Sequence, residues 1–127
     1  MDIINLTPHR SDKSFLARIA RQAKKFVGQQ EISLVLVSAQ KIQEINKKYR
    51  RQNKPTDVLS FAGLNEIFIC PQVVKKQAKE FGVSFNRELA RALIHGILHL
   101  KGYDHEKSRK EAERMRKLEE KILNSVK

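Results

Sequence analysis

The stretch SFNRELARALIHGILHLKGYDH, residues 84–105, is the part of the chain on which the fold turns. Ser84 is a helix-capping residue, because its hydroxyl can accept from the backbone N–H groups that the first turn leaves unpaired. Leu93, Ile94, Ile97, Leu98 and Leu100 then leave the helix largely apolar, so it belongs inside the protein. It is expected to run to about Lys101 and to stop at Gly102, where glycine permits the chain to reverse.

Outward from this helix the sequence alternates between short apolar runs and amphipathic segments. Towards the C-terminus, Ala112, Met115, Leu118, Ile122 and Val126 share one face of a last helix expected over about 106–126. Towards the N-terminus, Pro71 suits the first position of a helix that Gly82 ends. Two short apolar runs, 58–62 and 66–70, flank the turn-prone Gly63-Leu64-Asn65 and read as a hairpin or two neighbouring strands. Ser38 caps a helix through Ile42, Ile45 and Tyr49, followed by a basic loop over about 50–54. The run EISLVLV at 31–37 reads as a central strand. Ser11 or Asp12 caps a helix carrying Phe15, Leu16, Ile19, Ala23, Phe26 and Val27 up to Gly28, and residues 3–6 form a weak first strand. Strands and helices are mixed without strict βαβ alternation. The expected architecture is therefore α+β: one domain over 1–127, a small mixed sheet packed by about five helices, with the functional centre on the buried helix and the turn after it.

The 127 residues include 40% apolar side chains, enough for one core, and the 6% aromatics without Trp make that core aliphatic. Lysine and arginine number 26 against 14 acids, a net charge of +12, which points to a polyanionic partner. No apolar run approaches the ~20 residues of a membrane span. The start, MDIINLTPHR, does not resemble a secretory signal. The single cysteine, Cys70, suits a reducing compartment. A cytoplasmic protein is expected, with no membrane partner.

His95, His99 and His105 fall within eleven residues. Two imidazoles four apart on a helix differ by only ~40° in direction and about 6 Å along the axis, so both can reach one ion. A lone helical histidine is usually a surface or satisfied core residue, and a bare H-x-x-x-H pair arises often by chance. Gly102 and His105 at this spacing change that balance, because the chain can turn back and close the site from the other side. Three neutral imidazoles with an open fourth position are a recurring arrangement for catalytic zinc. The spacing H-x-x-x-H-x-x-G-x-x-H is that of the metzincin proteases, but those carry glutamate after the first histidine as general base, and Gly96 stands here. A protease or other zinc hydrolase thus remains only as an alternative.

HGILHLKGYDH is similar to the signature of the YbeY endoribonucleases, bacterial ribosomal RNA maturation factors, written H-G-x-L-H-L-x-G-Y-D-H. A second block agrees: Asn46, Tyr49 and Arg50, then Pro55-Thr56-Asp57-Val58-Leu59-Ser60-Phe61. The resemblance covers about positions 31–106 well. It implies a zinc ion held by His95, His99 and His105, and single-strand-specific cleavage of RNA in ribosomal RNA maturation, at the 3′ end of the small-subunit RNA, and in ribosome quality control. It also implies contact with the small subunit and a ribosomal protein or assembly GTPase as partner. Two features depart from the family pattern. Asn65-Glu66 stand where Gly-Asp is usual, and the segment from Ala62 to Glu66 is short.

The family's functional arginine falls on Arg50, expected to clamp the charge that builds on phosphorus. Lys47, Lys48, Arg51 and Lys54 around it are the expected RNA contacts. The general base stays open among Asp104, Glu106, Glu88, water on the metal and the RNA 2′-hydroxyl. Asp57 is expected to hydrogen-bond across the Pro55-Thr56 turn, and Cys70 to be a small buried apolar residue. A non-catalytic RNA-binding assembly factor with a structural metal is the second alternative.

Overall fold

The computed structural model describes residues 1–28 and 31–126. In chain order these form β1 (Asp2–Asn5), α1 (Lys13–Val27), β2 (Ser33–Leu36), α2 (Ala39–Arg50), β3 (Val58–Phe61), a 3-10 turn (Ala62–Leu64), β4 (Glu66–Ile69), α3 (Pro71–Phe81), α4 (Phe85–Leu100) and α5 (Arg109–Ser125). The sheet order is β1-β2-β4-β3, with β1 and β4 parallel to β2, and β3 antiparallel to β4 at the edge. The expected α+β architecture with a mixed sheet and five helices is what the chain adopts.

Side-chain alternation along β2 separates two layers. Leu34 and Leu36 point into a core shared with Leu16 and Ile19 of α1, Val74 of α3, Leu93, Ile94, Ile97 and Leu98 of α4, and Met115 and Ile122 of α5. Val35 and Val37 face the other way, against Ile42 and Ile45 of α2, Leu59 and Cys70. A strand with both faces covered reads as an unbroken aliphatic run, which is why EISLVLV marked the centre. The α4 helix touches α1, α3, α5, β3 and β4, and Leu93, Ile94 and Leu98 are fully buried.

Several boundaries move for identifiable reasons. Asp12, not Ser11, caps α1, its side chain accepting from Phe15 N–H. Arg50 is the last residue of α2 rather than the start of the loop; Arg51 ends the helix in a left-handed conformation, φ 57°. Asn46 pins that loop, its Nδ2 donating to the Lys54 carbonyl at 3.0 Å. The short link between β3 and β4 is the 3-10 turn, with Asn65 at φ 50°. Asparagine suits that left-handed position, which few side chains other than glycine tolerate. The last helix begins at Arg109, not 106, because Ser108 accepts from Glu111 N–H while residues 104–107 are folded into a turn.

Candidate metal centre

His95 and His99 stand one turn apart on α4. After Leu100 the chain folds over the helix end: Gly102 N–H donates to the His99 carbonyl and Tyr103 N–H to that of Leu98. Gly102 has φ 95°, a conformation costly for any side chain with a Cβ. Asp104 then accepts from Glu106 N–H through Oδ1 at 2.9 Å, and the resulting turn carries His105 back to the helix. His99 Nε2 lies 3.2 Å from His95 Nε2 and 3.2 Å from His105 Nδ1. All three offer a ligand atom within 4.8 Å of one another.

These distances fit a metal. Tetrahedral Zn–N bonds of ~2.0–2.1 Å place ligand nitrogens about 3.3–3.4 Å apart. The donor set is three imidazoles, neutral when they bind. Burial, then the neighbouring His95 and His105, lowers the His99 pKa below the ordinary 6.5, which keeps its lone pair available. His95 and His99 are half-buried and His105 is exposed, so the cluster opens towards solvent on the His105 side.

Gly96 faces the sheet. A Cβ there would lie 3.1 Å from Ile67 Cγ2, 3.1 Å from Ser60 Oγ and 3.2 Å from Val58 Cγ2. The position occupied by glutamate in metzincins is thus pressed against β3 and β4, where any side chain would crowd Ile67, Ser60 and Val58. Ser60 Oγ donates to the Gly96 carbonyl at 3.1 Å, tying β3 to the helix beside His95.

Behind His95 lies a polar network that the sequence reading did not single out as a unit. Nδ1 of His95 is 3.4 Å and 3.5 Å from the two carboxylate oxygens of Glu119. Arg91, one turn earlier on α4, donates from Nη1 to Glu119 (3.2 Å), from Nε to Glu88 (3.0 Å) and from Nη2 to Asp57 (2.7 Å). The Gln77 amide nitrogen reaches both Glu88 Oε2 and Asp57 Oδ2 at 3.1 Å in the orientation that satisfies both ends of the amide. Burial alone would lower the Arg91 pKa, but the Glu88 hydrogen bond and the charges of Asp57, Glu88 and Glu119 together raise it well above its ordinary value. The local signal was the i, i+3 spacing of Glu88 and Arg91 and the i, i+4 spacing of Arg91 and His95. Nothing local marks Glu119, one of several acids on a charged helix.

The other candidates fall as follows. Glu88 is only 2% exposed and turned to Arg91, so it is a buried ion-pair partner rather than a carboxylate open to a substrate. Asp57 accepts from Val58 N–H and Thr56 Oγ1, as the turn reading expected, and from Arg91 in addition. Asp104 serves the turn, and the exposed Glu106 carboxylate is 3.8 Å from His105 Nε2. Arg50 donates from Nη2 to the Ser60 carbonyl at 2.7 Å, with its guanidinium carbon 4.9 Å from the Phe61 ring centroid. Lys47, Lys48, Arg51 and Lys54 are exposed around it. Cys70 is fully buried, and burial pushes its thiol pKa up, so it is an inert core residue. Among the described residues no helix is long and apolar enough to cross a membrane.

Comparison with known proteins agrees with this geometry. The family model for Endoribonuclease YbeY matches residues 5–127. A protein of that name from Thermodesulfovibrio yellowstonii is 50% identical over 106 residues, covering 76% of this chain and 67% of its own. One from Thermotoga maritima is 41% identical over 108 residues, covering 81% and 72%. One from Persephonella marina is 36% identical and aligns over 99% of this chain and 94% of its own. A solution structure from Thermotoga maritima superposes with a TM-score of 0.70 at 36% identity, covering 98% of this chain and 88% of that one. With a family match along nearly its whole length and the shared fold, the chain belongs to the YbeY endoribonuclease family.

Proposed function

We propose that this protein is a zinc-dependent endoribonuclease that cuts single-stranded RNA at the three-histidine centre. Its substrate is ribosomal RNA of the small subunit, near the 3′ end, in cytoplasmic ribosome maturation and quality control, with a ribosomal protein or an assembly GTPase as partner. The observation that carries the reading is the pair of 3.2 Å separations about His99 Nε2, which match the edges of a tetrahedral zinc site.

Cleavage of a phosphodiester needs an activated oxygen nucleophile and neutralisation of the charge that builds on the pentacoordinate phosphorus. A divalent ion held by His95, His99 and His105 would supply Lewis acidity and make water more acidic there. The chain supplies the rest. His95 and His99 stand one turn apart on α4 and would bind as neutral imidazoles, and the Asp104 turn holds His105 beside them. Arg50 commits Nη2 to the Ser60 carbonyl, which braces its planar fork against Phe61 and leaves further N–H groups for phosphate oxygens. Ser60 also bonds to Gly96, so the arginine and the histidine helix are anchored to one strand residue. Lys47, Lys48, Arg51 and Lys54 add positive charge along the approach.

The test compares the native chain, the metal-stripped chain, His99→Ala and Arg50→Ala on single-stranded and structured RNA. Stripping and His99→Ala abolish cleavage, and Arg50→Ala, an exposed position, lowers it roughly 100-fold or more with the fold intact. Folded Arg50→Ala and metal-stripped protein that both cleave at the native rate sink the mechanism. RNA binding without any cleavage would assign the protein to ribosome assembly with a structural metal.

A further inference from the structure

The three histidines are held from different sides. His99 touches both of its neighbours, and His105 is set by the Asp104 turn. His95 has its own support: its Nε2 faces His99, while its opposite ring nitrogen faces Glu119 of α5. Both carboxylate oxygens of Glu119 lie at 3.4–3.5 Å from it, at the long end of hydrogen-bonding distance. Glu119 has little freedom to leave. Its side chain is 13% exposed, and Arg91 grips it at 3.2 Å while also holding Glu88 and Asp57. One guanidinium therefore faces three carboxylates from α4, α5 and the segment before β3, and the network keeps an excess of negative charge directly behind His95.

We propose that Glu119 is the positioning carboxylate of the metal centre. It accepts the Nδ1 proton of His95, which fixes the tautomer with the Nε2 lone pair directed at the ion and holds the ring in place. Arg91 is the brace that fixes Glu119 in turn. The inference rests on the metal-centre reading above and extends it to α5, a helix whose sequence shows no ligand.

The test uses Zn2+ itself as the probe. The native chain, Glu119→Gln, Glu119→Ala and Glu119→Asp are compared for Zn2+ affinity by competition with a chromophoric chelator. The visible spectra of their Co2+ forms and the thermal unfolding of the metal-free proteins are measured alongside. Glutamine keeps the size of the side chain and an oxygen for Arg91, so metal-free Glu119→Gln unfolds close to the native temperature. Its Zn2+ affinity nevertheless falls about 10–100-fold and its Co2+ spectrum shifts, while Glu119→Asp recovers part of the affinity. Affinity in Glu119→Gln and Glu119→Ala within about twofold of native overturns the proposal. So does a weakening that merely follows the loss of metal-free stability across the three variants, since that assigns Glu119 to packing. A native chain that binds neither Zn2+ nor Co2+ overturns the metal-centre reading and this inference with it. Native binding with unaffected variants overturns the role of Glu119 alone.

Discussion

Of the three histidines, His99 has a ring nitrogen 3.2 Å from a nitrogen of each of the others. Burial, then the positive charge that His95 and His105 could carry, lowers its pKa below 6.5; Asp104 and Glu106 oppose the shift without reversing it. As pH falls, the unfolded chain takes up this proton before the folded chain does. The contribution of His99 to metal-free stability is therefore complete above about pH 6.5 and is lost as pH falls from there through its lower folded value. Thermal unfolding of the metal-free protein between pH 8 and 5 should show the decline, with a shallower slope in His99→Ala. Metal retention falls in the same direction, because a protonated imidazole cannot be a ligand. Metal held unchanged at pH 4 would rule out a three-histidine centre. The convergence of the three histidines was legible from spacing, because a helix and a glycine turn are local structures. The partner of His95 was not, since Glu119 lies 24 residues further along.

At the level of elements, the contact that sets the geometry is α4 against β3. Gly96 lets the helix approach until Ile67, Ser60 and Val58 would touch a Cβ, and Ser60 locks the pair through the Gly96 carbonyl. Gly96→Val adds bulk against two β-branched side chains and a bonded hydroxyl. The substitution is expected to cost about 1–3 kcal/mol, only slightly offset by the better helix propensity of valine. Chemical denaturation measures the loss. A Gly96→Val protein as stable as native would show that the helix and the edge strand are not in tight contact. In the sequence Gly96 was visible as a missing general base and as the glycine of the histidine signature; its packing reason needs β3 and β4 beside it. The start of α5 is a similar case. Glu106 suits a first helical turn by charge, yet Asp104 captures its N–H and Ser108 caps the helix instead.

Over the whole molecule the +12 charge is uneven. Residues 1–100 hold 17 basic and 8 acidic side chains, and the segment 41–57 holds six basic against two acidic. That segment is α2 from its third residue onward and the loop that Asn46 pins, beside the Arg50–Ser60 contact. RNA held there should release counterions, with single-strand affinity falling by roughly 0.7 log units per log unit of salt for each phosphate neutralised. Substituting Lys47 and Lys48 together should reduce that slope by about 1.4 if each meets one phosphate. A slope unchanged in the double variant would place the RNA elsewhere on the surface.

By itself the sequence determined the element types, the central strand and the spacing that brings the three histidines together. Each is written in local periodicity, in capping residues or in spacing along one helix and one turn. Only the tertiary structure decided which groups stand behind those residues. Burial of α4 on three sides brings Arg91 against Asp57, Glu88 and Glu119, and brings Arg50 to the carbonyl of Ser60. Apart from the i, i+3 pair of Arg91 and Glu88, those contacts join residues 10 to 34 positions apart. Charged residues on a surface helix and on a buried one look alike until the layers are stacked, because it is desolvation that makes each of them need a partner.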